Sequence, residues 1–182
     1  FNAKPSGVKL IGNAWELSLE GDGVSTRMAQ PNALRLAGGM AFVDWFSFHS
    51  YMYSNDPDKV RKITANVRAW LNANGFSSMP IANTETGHEA PGPGDNYSDQ
   101  QVATSLARVS LYTAALGGKM HVAYQDRGGS DLTTLRDPDG SAVIQAAYQA
   151  LDALNGRTIR QAAYHSDGRV WARFSDNTEM TD

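Results

Sequence analysis

Met79-Pro80-Ile81-Ala82-Asn83-Thr84-Glu85 is the stretch on which the fold turns. It reads as a short apolar strand that opens on a proline and ends on a carboxylate. Pro80 is tolerable there, because a proline at a strand start removes a donor only where pairing begins. What precedes it fits a helix over 57–73. Asp56 can cap that helix and Pro57 suits its first position. Val60, Ile63, Val67, Trp70 and Leu71 recur at helical spacing, and Asn74-Gly75 ends the run.

Working outward, the same unit repeats. Val43-Asp44-Trp45-Phe46-Ser47-Phe48-His49 has the aromatic density and period of two expected of a strand. It places Phe46 and Phe48 on one face, and Ser47, His49 and Tyr51 on the other. Residues 7–12 read as a buried strand, and 27–37 as a helix stopped by Gly38-Gly39. After a loop rich in Gly and Pro, Ser98 and Gln101 form a capping box for a helix with Val102, Leu106, Val109, Thr113 and Leu116 on its buried side. Residues 120–125 supply a fourth strand, and 141–154 a last helix. Strand starts near Val8, Val43, Met79 and Met120 recur every 35 to 41 residues, the length of a β/α unit in a parallel sheet. The tail differs. Residues 158–164 and 169–174 alternate as two strands joined through Ser166-Asp167-Gly168, a hairpin signal.

Composition narrows the function classes. With 182 residues, 41% hydrophobic and 19% charged, the chain is ordinary for a globular protein and unlike a coiled coil or a fibre. A net charge of −3, without a basic stripe, argues against nucleic acid as a partner. No apolar run is long enough to span a membrane. The absence of cysteine removes disulfides, thiolate catalysis and cysteine-ligated metals. No phosphate loop, G-x-S-x-G elbow or H-E-x-x-H helix occurs. The first residue is Phe1 rather than Met and no signal peptide is visible, so a processed or trimmed product is expected.

In parallel β/α folds chemistry gathers at the carboxyl ends of strands. The residues expected there are Asn13, Trp15 and Glu16; His49, Tyr51 and Tyr53; Asn83 and Glu85; and Tyr124, Gln125, Asp126 and Arg127. Glu85 is the leading candidate, since a carboxylate there can attack an anomeric carbon or act as a general base. The plainer alternative is a solvated glutamate capping the next loop. Tyr51 can orient such a carboxylate and His49 can bind a sugar hydroxyl; the alternative is packing. Asn83 is a further candidate for holding substrate. Trp15, Tyr53, Tyr97 and Tyr124 can stack on sugar rings or fill the core. Asp44, at the remote end of its strand, reads as structural. His88 and Glu89 read as a solvated loop, because two adjacent residues chelate a metal poorly. Asp137-Pro138-Asp139-Gly140 reads as a turn and helix cap rather than a calcium loop.

Together these segments resemble the C-terminal half of a clan A retaining glycoside hydrolase, nearest to the group of β-xylosidases and α-L-iduronidases. Val43–Tyr51 resembles barrel strand six, Pro80–Glu85 strand seven and His121–Gln125 strand eight. The resemblance implies an α/β fold with strands five to eight of a (β/α)8 TIM barrel over residues 1–156. It implies a β-hairpin over 157–182 that begins an accessory β-sandwich. It assigns the nucleophile to Glu85 and the sugar subsite to His49 and Tyr51, with Tyr124 or Gln125 where the clan usually has a tryptophan. It implies a carbohydrate substrate, no cofactor and no metal, and a secreted or periplasmic bacterial setting.

The clan's acid/base glutamate follows an asparagine at the end of strand four, and no Asn-Glu pair occurs here. Glu16 is not expected to serve, since residues 10–13 fit strand five. The chain is roughly 70 residues short of a typical barrel, so the expectation is an inactive fragment completed by a missing half or a second chain. Two alternatives stand beside it. One is a carbohydrate-binding or scaffold fragment that pairs with another chain. The other is an open, doubly wound α/β sheet with its ligand at a switch point.

Overall fold

The computed structural model of the protein describes residues 7–12, 14–51, 56–87, 99–123, 156–157, 159–164 and 169–181. Four parallel strands form one sheet: β1 (Trp15–Glu16), β2 (Phe46–His49), β3 (Ile81–Thr86) and β4 (Gly118–Ala123). Helices α1 (Ala29–Leu36), α2 (Pro57–Ala73) and α3 (Asp99–Ala115) alternate with them. The spatial order β1-β2-β3-β4 follows the chain order. A doubly wound sheet reverses strand order at its switch point, and a barrel does not. Among the described strands there is thus no switch point, the feature on which the doubly wound alternative relied.

The apolar stripe of α2 explains one face of this sheet. Val60, Ile63, Val67 and Leu71 are fully buried, and all but Val60 share one cluster with Trp15, Phe46, Phe48 and Ile81. The Phe46 ring lies 5.8 Å from Trp70 and 5.0 Å from Trp15. Asp56 caps α2 as expected, accepting from the Asp58 amide at 2.9 Å, with Pro57 in the first turn. Such a cap contributes about 1 kcal/mol. Arg68, on the same helix, donates to the carbonyls of Met79 (3.0 Å), Ser77 (3.2 Å), Leu116 (3.2 Å) and Gly117 (3.3 Å). One guanidinium thus ties the turns that lead into β3 and β4. Gly117 takes a left-handed φ of 82°, and a Cβ there would meet the guanidinium at 3.1 Å, so glycine suits this clamp on both counts.

The opposite face of the sheet is small and polar. Ser47, Ala82 and Thr84 lie there, with the Ser47 and Thr84 hydroxyls 2.7 Å apart. Ser47 and Ala82 are buried, so the central strands are covered on both sides, as in parallel sheets generally.

The start of the chain departs from expectation. Residues 7–12 do not form a buried strand. Val8, Leu10 and Ile11 are 48%, 40% and 43% exposed, and a single bridge joins Ile11 to Trp45. The Leu10 amide donates to the Asp44 carboxylate at 2.7 Å and Lys9 reaches the same group, so Asp44 is structural. Gly12 passes so close to Val43 that a Cβ would stand 2.9 Å from its Cγ1. The strand proper is Trp15–Glu16, because the large ring that can fill the space beside Phe46 is Trp15 and not Leu10. The second strand also begins later, at Phe46 rather than Val43.

The tail forms a second, antiparallel sheet. The expected pair is present as β5 (Ile159–Tyr164) and β6 (Val170–Phe174), and a third strand, β7 (Glu179–Thr181), adds to it. The turn between β6 and β7 is held by Asp176, which accepts from the Thr178 hydroxyl and amide and from Arg157. Strands β5 and β6 lie against α3. The expected helix over 141–154 and the hairpin turn at 166–168 lie outside the described residues, as does Ser98 of the capping box.

Candidate active site

The site is built where β1, β2 and β3 end. Glu85 and His49 are register partners on adjacent parallel strands. His49 Nδ1 lies 3.2 Å from Glu85 Oε2, and the two side chains are 21% and 23% exposed. With Glu85 ionised, Nδ1 must carry the proton and donate it, which leaves Nε2 facing away. A carboxylate in this position is largely shielded from water and, among the described residues, is held by the His49 donor.

A strict period of two would not bring these side chains together. Ile81 and Asn83 share the helix-facing side of β3, and Glu85 would follow them. The register changes here instead: Phe48 pairs with Asn83, but His49 pairs with Glu85. Thr84 is thus an extra residue, a β-bulge that turns Glu85 onto the His49 face. Bulges are a common means of aiming a side chain beside an active site.

A buried polar knot holds the bulge. Asn83 is fully buried, and with its amide assigned the orientation that satisfies both of its ends its nitrogen donates to Glu85 O at 2.9 Å and Phe48 O at 3.2 Å. Its oxygen accepts from the Ser50 hydroxyl at 3.1 Å. The Ser50 amide also donates to Glu85 O, at 3.0 Å. Every donor in this knot has an acceptor, which is the condition for a buried polar network to add rigidity. Asn83 therefore serves the backbone that carries Glu85.

The other candidates divide clearly. Tyr51 is half-buried, two residues past His49. Trp15 is 8% exposed and belongs to the core beside Phe46. Tyr53, Tyr124 and Gln125 lie outside the described residues, as do Asn13, Tyr97, Asp126, Arg127, His88 and Glu89. Sequence reading missed Ser50. The available signal was its parity: it continues the Phe46 and Phe48 face, where a polar residue must find a buried partner. Glu16 stands, as expected, at a strand end. It ends β1, in register with His49. No group of three or more His, Asp or Glu able to hold a metal occurs among the described residues.

No protein-family model matches the chain, and no curated protein matches its sequence. Solved structures do. A glucosidase from Croceicoccus marinus superposes with a TM-score of 0.56 at 16% identity, over 97% of this chain and 45% of that one. A family 39 glycoside hydrolase from the gut symbiont Bacteroides cellulosilyticus WH2 gives 0.58 at 20% identity, over 81% and 35%. The chain spans less than half the length of either. At such identities the likeness speaks for architecture: the chain carries a parallel β/α fold similar to part of a TIM-barrel glycosidase.

Proposed function

We propose that this chain supplies the nucleophile side of a retaining glycosidase site, within the last four β/α units of a barrel. Glu85 is the nucleophile. Its carboxylate attacks the anomeric carbon of a bound glycoside while the bond to the leaving oxygen breaks, and that oxygen takes a proton from a second carboxyl. A glycosyl ester on Glu85 results. Water, deprotonated by the second carboxylate, then cleaves the ester and restores Glu85. His49 donates to Glu85 through Nδ1, fixing which oxygen attacks and steadying its charge. Tyr51, two residues past His49, contacts the sugar, and the resemblance gives Tyr124 or Gln125 the same role.

The observation that carries this reading is the His49–Glu85 contact at strand carboxyl ends, aimed by a bulge. The similarity of the fold to glycosidases supports it. The second carboxyl comes from outside these 182 residues, from further chain or from a second one. Retention needs the two carboxyl groups only about 5 Å apart. Glu16 stands two strands away from Glu85, near 10 Å at ordinary strand spacing. The substrate class is poly- or oligosaccharide of the kind handled by β-xylosidases and their relatives, in a secreted or periplasmic setting.

Turnover of aryl glycosides tests this. The complete protein should hydrolyse them with retention, and Glu85→Gln should lower kcat by orders of magnitude. The 182-residue chain alone should not turn over. Turnover by that chain, lost in Glu85→Gln, would overturn the need for a second carboxyl from elsewhere.

A further inference from the structure

We propose that the Ser47–Thr84 hydroxyl pair is a positioning device for the nucleophile, setting the direction in which Glu85 leaves its strand; this rests on the glycosidase reading of Glu85. The two hydroxyls lie 2.7 Å apart across β2 and β3. Ser47 is buried and Thr84 half-buried. Ser47 precedes His49 by two residues on one face of β2, so the pair stands about 6.6 Å along the strands from the His49–Glu85 contact.

Two registers compete at this strand end. In a straight ladder Thr84 would pair with His49, and Glu85 with Ser50. Glu85 would then turn to the side of Phe48 and Ser50, both fully buried, and a carboxylate taken out of water there is costly. That cost selects the bulged register. It does not fix how the bulged residue is turned. The extra residue of a bulge drops out of the ladder, so its own side chain must hold it. Thr84 is held through Ser47. Its Oγ1 also stands 3.5 Å from Phe48 O, too long to hold it alone.

The kind of contact matters here. A bond between two hydroxyls is directional, whereas an apolar contact lets a side chain turn and slide. Asn83 and Ser50 fasten the backbone of Glu85 from the side of Phe48. Ser47 fastens Thr84 from the other side. A strand end clamped on both faces carries the Glu85 carboxylate to His49 Nδ1, 3.2 Å away. With the Ser47 tie lost, Glu85 keeps its register but samples more directions, and it accepts the His49 proton less often. An attacking atom displaced by about 1 Å can cost a hundredfold in rate, so a loose tie weakens attack more than binding.

Thr84→Val deletes one hydroxyl at nearly constant shape, and Ser47→Ala combined with Thr84→Val deletes both. The double variant leaves neither hydroxyl without its partner, so it folds even where the single variant does not. The first readout is nitrogen-15 NMR of the 182-residue chain at about pH 9, well above the ordinary histidine pKa. The signal of His49, one of four histidines, is assigned with His49→Gln. Its ratio of Nδ1–H to Nε2–H tautomer should fall about fivefold in Thr84→Val and in the double variant, the factor for one net hydrogen bond. The second readout is aryl glycoside turnover by the complete protein. In both variants kcat should fall about tenfold to a hundredfold with KM within about twofold. Thr84→Ser should keep both readouts near wild type. A merely structural pair predicts that the double variant, having no stranded hydroxyl, recovers both. Such recovery, or a tautomer ratio or kcat unchanged in Thr84→Val, overturns the positioning role and leaves Glu85 standing as the nucleophile. Turnover indifferent to Glu85→Gln overturns the glycosidase reading and the positioning role with it.

Discussion

Replacing Asn83 should loosen the strand end that carries Glu85, and the structure sets the size of the effect. Asn83→Ala removes three hydrogen bonds, to Glu85 O, Phe48 O and Ser50 Oγ. Each contributes about 1 kcal/mol net. Glu85 O keeps the Ser50 amide, so it is not stranded. The Ser50 hydroxyl, fully buried, loses its acceptor. The expected destabilisation is about 3 kcal/mol, the sum of three such bonds. For a chain of this size that lowers Tm by roughly 6 to 12 °C. Asn83→Asp is nearly isosteric but points an oxygen at two carbonyls, so it must be protonated to donate. Burial raises the pKa of such a carboxyl in the folded state. The folded variant therefore binds more protons than the unfolded one, and its stability should rise as pH falls from 7 toward 4. Urea denaturation at both pH values, with Ser50→Ala to close a double-mutant cycle, measures this. A loss below about 0.5 kcal/mol for Asn83→Ala, within the range of ordinary surface substitutions, would refute the knot. A pH-independent Asn83→Asp would refute the buried donor geometry.

Two further predictions follow from groups away from the site. Arg68→Met should cost about 3 kcal/mol in urea unfolding, because a charged donor to four carbonyls is lost and bonds to charged groups run to about 1.5–3 kcal/mol each when well made. Arg68→Lys, which cannot reach four carbonyls in one fork, should fall between the two. The Asp176 carboxyl is held well below the usual carboxylate range by the Thr178 hydroxyl, then by Arg157 and the Thr178 amide. A depressed folded value means its contribution is present above the unfolded pKa and is lost only as pH falls through the lower one. In an NMR acid titration its carboxyl signal should move after those of the other aspartates, and Thr178→Val should bring it back toward them.

The β/α alternation was legible because helices announce themselves. In α2, cap, proline, stripe and terminal glycine all agree, and the structure follows each. Glu85 and His49 were legible as strand-end residues from their place after short apolar runs. Their contact was not, because it depends on the bulge at Thr84, and nothing in Ile81-Ala82-Asn83-Thr84-Glu85 marks where pairing slips. Asn83 was read as a substrate contact because its face could not be assigned; burial beside Ser50 turns it into scaffold. The error at residues 7–12 has a similar origin. An apolar run says that burial would be favourable, but Trp15 competes for the same space beside Phe46 and fills it. The row of Glu16, His49 and Glu85 needs two registers at once, and register between distant segments is tertiary information.

The central claim is that the Glu85 carboxylate attacks a sugar. Its most direct test is trapping with a fluorinated glycoside bearing a dinitrophenyl leaving group, which departs without help from an acid. The complete protein should gain the mass of one glycosyl group, on the peptide that holds Glu85, and Glu85→Gln should gain none. Labelling of another carboxylate, or labelling that persists in Glu85→Gln, would contradict the account.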